Sequence, residues 1–151
     1  MTPDLPEGYE ITTDPARVDV GFVHAYLSDQ SYWAKGVPRE VVTRAIANSL
    51  CFCVFGPDGQ AGFARVITDR ATFAYLCDMF VAPPYIGQGL GKALVATIIA
   101  HPDLQGLRRR LLGTHDAHTL YARYGFVPLA RPQNFMEIRD PDVYRQAPET
   151  E

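Results

Sequence analysis

The stretch LCDMFVAPPYIGQGLGKALVA, Leu76 to Ala96, decides how the rest of the chain is read. An apolar run from Leu76 to Val81, broken only by Asp78, predicts a buried strand. The pair Pro83-Pro84 marks a turn, and glycines follow at 87, 89 and 91. Leu90, Leu94, Val95 and Ile98 then keep a helical stripe. A strand, a glycine loop and a helix start in this order present backbone N–H groups and the positive end of a helix dipole to an anion, most often a phosphate.

Two common phosphate loops fail on spacing. A dinucleotide fingerprint needs G-x-G-x-x-G after the first strand of a βαβ unit, whereas this loop reads G-x-G-x-G deep in the chain. A P-loop needs G-x-x-x-x-G-K-[ST], but Gly91-Lys92 is followed by Ala93 and position 86 is isoleucine.

Upstream of the loop, residues 51–55, 60–68 and 72–81 alternate with period two. The turn Gly56-Pro57-Asp58-Gly59 and the tip Asp69-Arg70 separate them, which predicts an antiparallel meander. Before these come a loose arm over residues 1–8, a short strand over 9–12, and a helix opened by Asp14-Pro15 and running to about Leu27. Residues 28–37, SDQSYWAKGV, form a polar and aromatic loop holding the only tryptophan. A second helix runs from Pro38 to about Ser49 with Val42, Ala45 and Ile46 inward.

Downstream, the helix after the glycine loop ends at His101-Pro102, where proline forbids continuation. A strand over 107–114 follows, so the crossover predicts one parallel pair. A short helix over 117–124 is closed by Gly125, and 126–129 and 134–138 read as two closing strands. Residues 140–151 are polar and predicted flexible. The expectation is an α+β fold (α/β in looser schemes). It has a mixed sheet of six or seven strands, about four helices on its two faces, and one domain spanning 1–151.

Composition bounds the function. The chain has 151 residues, 47% hydrophobic and 21% charged, enough for a substantial core. A net charge of −3 argues against a nucleic-acid partner, which wants a basic face. No run is long enough to span a membrane and no signal segment is visible, so a cytoplasmic protein is expected. Cys51, Cys53 and Cys77 lack zinc-site spacing and read as small core residues of a reducing compartment; no metal is expected. The run Arg108-Arg109-Arg110 starts a strand one helix length, about 18 Å, from the glycine loop, and reads as a solvated edge.

The stretch from Val81 through Gly89 and Gly91 resembles motif A of the GNAT superfamily of N-acetyltransferases, Arg/Gln-x-x-Gly-x-Gly/Ala after a strand ending in valine. Ala117-x-x-x-Tyr121-x-x-Tyr124-Gly125-Phe126 is similar to the family's closing segment. The element order matches over nearly the whole chain. Two departures stand out: Ile86 holds the place of the family's first Arg/Gln, and Thr114 the place of an asparagine.

The resemblance implies transfer of an acetyl group from acetyl-CoA to a primary amine, of a small molecule or of a peptide, with a homodimer admitted. The backbone of Met79, Phe80 and Val81 is expected along the pantetheine arm. Gly87, Gln88, Gly89, Leu90, Gly91 and Lys92 are expected around the pyrophosphate, which then rests mainly on backbone amides. Tyr121 is the implied general acid, with Tyr124 its alternative. The family's basic carboxylate falls at Tyr75, so Asp78 reads either as the base or as an anchor to Arg65, with His24, His115 and His118 as further bases. Strict alternation places Asp78 opposite both Met79 and Cys77. Tyr32, Trp33, Lys35 and Arg65 are the expected acceptor contacts. A competing reading is a non-catalytic acyl-CoA-binding module, a sensor or scaffold, with the same fold.

Overall fold

The computed structural model describes residues 4–145. Its spine is one five-stranded sheet in the order β1-β2-β3-β4-β5. The strands are β1 (Glu10–Thr12), β2 (Leu50–Gly56), β3 (Gly59–Thr68), β4 (Phe73–Val81) and β5 (Arg109–Leu112). β1 to β4 pair antiparallel, and β5 joins β4 in parallel, as the crossover requires. The β3–β4 tip is tied by Asp69. Its carboxylate takes the Thr72 hydroxyl and the N–H groups of Thr72, Ala71 and Phe73, bonds that hold it well below the usual carboxylate range.

The helices α1 (Val20–Asp29) and α2 (Arg39–Ala47) cover one face of the sheet, and α3 (Leu90–Ala100) and α4 (His118–Ala122) lie on the other. Period two on β2 feeds both cores. Phe52 and Val54 pack towards α3 with Leu94, Val95 and Ile98, while Cys51 and Cys53 pack towards α1 and α2 with Val23, Leu27, Val42 and Ile46. The three cysteines are free thiols. The first helix is split. Asp14 caps a 3-10 turn, Pro15–Arg17, and Asp19 then caps α1 through Phe22 N–H, because two capping aspartates five residues apart each start their own element.

The sheet has five strands rather than six or seven. Neither 126–129 nor 134–138 forms a strand. Pro128 and Pro132 lack the N–H that a ladder needs, and the Pro132–Asn134 3-10 turn bends the chain between the two segments. The Arg108 to Arg110 run is a solvated edge only in part, since Arg110 is half-buried and donates to the Leu104 carbonyl. Residues 1–3 and 146–151 of the two expected flexible ends lie outside the described residues. Inside them, Leu5 packs on the α3-side core and Tyr144 on the α1/α2-side core.

Leu94 is fully buried between α3 and the sheet. Leu94→Ala is expected to lower unfolding stability by about 2–5 kcal/mol with an unchanged denaturant m-value, measured by urea titration.

Candidate active site

β4 outruns its parallel partner. Their last paired residues are Leu76 and Leu112, yet β4 continues to Val81 paired only with β3. Residues 77–81 therefore carry one open backbone edge at a fork between β4 and β5. A bulge lies at the same place. Phe63 opposes Phe80 and Arg65 opposes Cys77, so three steps on β4 answer two on β3. Asp78 absorbs the extra residue at φ 50°, a left-handed conformation that aspartate tolerates better than most.

The bulge corrects the orientation expected from alternation. Cys51, Arg65 and Cys77 share one cross-strand row on the α1/α2 face. Asp78 lines a cleft on that face with Phe63 and Arg65. Cys77 and Asp78 thus point to the same side, and only Met79 points to the other, against the α3-side core.

The glycine loop sits beside the fork. After the Pro83–Tyr85 3-10 turn, Ile86 is extended and two-thirds exposed. Gly87 and Gly89 take φ 96° and 81°, where a side chain would be strained, and Gly89 is the N-cap of α3 with no side-chain cap. The first turn of α3 closes with Ala93 N–H on the Gly89 carbonyl. Among the described residues, the N–H groups of 87–92 have no acceptor in the chain. Met79 and Leu120 both approach Gly91, so β4, α3 and α4 converge at this end. Gln88 uses its side-chain amide elsewhere, donating to the Tyr9 hydroxyl and the Tyr85 carbonyl, each at 3.3 Å.

The loop between α1 and α2 roofs the fork. His24 Nε2 meets the Val37 carbonyl at 3.0 Å, and the Ser31 hydroxyl bonds the Leu27 carbonyl at 2.7 Å, which fix the loop's ends. Trp33 Nε1 donates to Asp78 Oδ1 at 2.7 Å, and Arg65 Nε donates to Oδ2 at 2.8 Å. Arg65 Nη1 also donates to Ser49 Oγ at 3.1 Å. Both oxygens of Asp78 are therefore engaged, and its geometry is that of an anchor. On the far side of the fork, the Tyr32 hydroxyl accepts the His115 N–H at 2.8 Å, and the two rings lie 5.2 Å apart.

Tyr121 stands under this roof. Its hydroxyl donates to the Met79 sulfur at 3.5 Å, and its ring meets Phe126 edge-on. Burial pushes the phenol up to about 12, with the charges of Tyr32 and Asp116 adding to the effect. Tyr124 is used differently, donating to the Lys92 carbonyl at 3.1 Å. Burial also pushes the Cys51 and Cys77 thiols up to about 12 and Cys53 to about 11, so all three stay neutral.

Beside the roof an apolar cleft of about 200 Å³ opens between α1, α2 and the sheet. Val23, Leu27, Val42 and Phe63 line it, Arg65 and Asp78 stand among its walls, and Tyr144 closes part of it.

The structure thus brings Tyr32, Trp33, Arg65, Asp78, Met79 and Tyr121 to one fork. Lys35 does not join them; it is exposed and donates to the Asp29 carbonyl at 3.4 Å, back on α1. Sequence reasoning missed Asp116, whose charge reaches both Tyr26 and Tyr121. It also missed Tyr26, stacked on Phe80 at 3.9 Å, and Tyr144. A carboxylate just before the helix that carries Tyr121 was the one available signal for Asp116.

Among the described residues, no helix is long and apolar enough to cross a membrane, and no cluster of His, Cys, Asp or Glu could hold a metal ion.

Comparison with known proteins gives a consistent result. The family model of the acetyltransferase (GNAT) domain matches residues 47–128. An inferred acetyltransferase of Gibberella zeae is 33% identical over 137 residues, covering 76% of this chain and 76% of that protein. The crystal structure of an inferred GNAT-family acetyltransferase from Xanthomonas campestris superposes with a TM-score of 0.91 at 50% identity. It covers 95% of this chain and all of the other. A GNAT-family acetyltransferase from Elizabethkingia anophelis, with acetyl-CoA bound, shares the fold at a TM-score of 0.60 and 17% identity, over 81% of this chain and 78% of that one.

The Asp78 contacts make a direct test. The Arg65 and Asp78 side chains are 17% and 12% exposed, so Asp78→Ala leaves a mostly buried guanidinium unpaired and frees Trp33. A loss of about 1–3 kcal/mol is expected, reduced from the fully buried case by residual solvent. Trp33 is the only tryptophan, so its emission should move to the red in the same variant. An unchanged unfolding midpoint with unchanged emission would contradict the anchor.

Proposed function

The chain belongs to the GNAT acetyltransferase family, and from that premise we propose that it transfers an acetyl group from acetyl-CoA to a primary amine carried by a small molecule with an apolar body. The observation that carries this reading is the fork. It sets an open β4 edge, unpaired N–H groups and a buried, protonated phenol side by side.

Each part suits one portion of the two substrates. The free backbone groups of 77–81 match the amides of a pantetheine arm. The N–H groups of 87–92 and the positive end of α3 match a pyrophosphate, with no side chain at Ile86 to assist. Neighbours of the same fold from Elizabethkingia anophelis and Clostridium acetobutylicum were crystallised with acetyl-CoA, which supports this co-substrate.

Acetyl-CoA supplies an activated acyl carbon and a thiol leaving group. The residues of the chain do the rest. Tyr121 stays protonated far above neutral pH, so its hydroxyl can give a proton to the sulfur as the C–S bond breaks and the new C–N bond forms. Water carries the proton that the nitrogen releases as the C–N bond forms back to the phenolate, which restores Tyr121. The amine must enter neutral, and Asp116, whose charge reaches the phenols of Tyr26 and Tyr121, is the carboxylate we assign to take its proton, directly or through water. Asp78 serves by holding Trp33 and Arg65 in place.

The cleft argues for the acceptor. Aliphatic and aromatic side chains make most of its wall, with Arg65 and Asp78 among them, and this lining favours an acceptor with a hydrocarbon body. A non-catalytic acyl-CoA-binding module draws support from Ile86 and from the engaged oxygens of Asp78. The buried Tyr121 phenol weighs against it.

Thiol release from acetyl-CoA, followed with 2-phenylethylamine, isoamylamine, spermidine and glucosamine, checks both levels. Turnover with the first two and little with the last two is expected. Tyr121→Phe should lower kcat about 100-fold while the calorimetric Kd for CoA stays within about threefold. No alkaline fall in kcat from Tyr121 should appear below about pH 11, since its hydroxyl is pushed up to about 12. CoA binding without release for any amine would favour the module instead.

A further inference from the structure

Every residue from Val127 to Val143 is exposed, and at Tyr144 the chain turns back inwards. Tyr144 packs on the α1/α2-side core and stands in the wall of the apolar cleft. The other walls come from α1, the α1–α2 loop, α2, β3 and β4, so Tyr144 alone is brought by the segment that follows the last helix.

The roof provides the seat for this residue. Gly36 stands at φ 81°, and a Cβ there would lie 3.3 Å from the Tyr144 carbonyl oxygen and 3.9 Å from its Cβ. A side chain at position 36 would therefore be strained and would crowd the tyrosine. The Gly36 N–H donates to the Ser28 carbonyl at 3.0 Å, which holds the seat against the end of α1.

Packing alone keeps Tyr144 in place. Residues 140–145 close a turn on themselves. The Asp140 carboxylate accepts the Asp142 N–H at 3.1 Å, the Asp142 carbonyl accepts the Arg145 N–H at 2.9 Å, and Arg145 pairs with Asp142 at 3.0 Å. Among the described residues, these bonds stay within the turn, so what ties it to the body of the protein is one aromatic ring set into the cleft.

The cleft holds about 200 Å³. A body that fills it meets core helices and strands on every side but one, and those walls cannot retreat without repacking the core. The remaining wall is Tyr144, and its ring occupies the volume that a longer body would need. We propose that Tyr144 is the specificity-determining residue for the length of the acceptor's apolar body, on the reading above that this cleft receives it.

Titration of 2-phenylethylamine and 4-phenylbutylamine into the full chain, followed through the emission of Trp33 in the same cleft, tests this without turnover. Wild type is expected to bind the shorter amine about tenfold more tightly, the discrimination that a methylene or two carries in an apolar pocket. Tyr144→Ala should tighten the longer amine about tenfold and move the shorter one less than about threefold. Tyr144→Leu should fall between, and Tyr144→Phe, which keeps the ring, should match wild type. Each change touches packing only, so the circular dichroism spectrum should persist. Equal or absent binding of the two amines by wild type overturns the proposal, as does a length preference that Tyr144→Ala and Tyr144→Leu both preserve. Length selection that disappears in Tyr144→Ala supports it even without thiol release from acetyl-CoA, a result that would remove the acetyl-transfer reading alone.

Discussion

The mismatch in length between β4 and β5 is the constraint on which the site depends. β5 has four residues and β4 has nine, so the parallel ladder stops at Leu76 and the rest of β4 keeps one edge open. An open edge inside a protein must be roofed, solvated or filled. Here the α1–α2 loop roofs it, tied to one branch through Trp33 and Asp78 and to the other through Tyr32 and His115. The bulge at Asp78 makes that roof possible. It turns the carboxylate onto the face where Trp33 and Arg65 wait, and it turns Met79 towards Tyr121.

Much of this was legible in the residues. The Gly56-Pro57-Asp58-Gly59 and Asp69-Arg70 turns located the meander because turn chemistry is local. The glycine loop and α3 were legible for the same reason, since Gly87 and Gly89 adopt backbone angles that other residues avoid. The facing of Asp78 was not. Alternation is a rule for unbroken strands, and a bulge is set by the register of two strands far apart in sequence, which no local pattern encodes. Residues 126–138 fail differently. Their period-two pattern is present, but prolines and a 3-10 turn keep them off their own sheet. Asp116 lay hidden because its meaning comes from Tyr26 and Tyr121, which reach it from separate helices.

The glycine loop shows how the proposed pyrophosphate site can do without the Arg/Gln of the GNAT motif, whose place Ile86 takes. Losing one charge-assisted hydrogen bond at position 86 removes about 1.5–3 kcal/mol of attraction. Against this stand unpaired main-chain N–H groups over residues 87–92 and the dipole of an eleven-residue helix, worth about 0.3–1 kcal/mol for a nearby charge. Several such donors outweigh one side chain, provided that they converge without cost. Convergence is the work of Gly87 and Gly89, whose left-handed backbones change the direction of successive N–H groups. Gln88 is tied back to Tyr9 and Tyr85, which holds the loop open before a ligand arrives. On the proposed function, specificity for an anion at this loop resides in backbone shape, and the side chains around it act by keeping that shape.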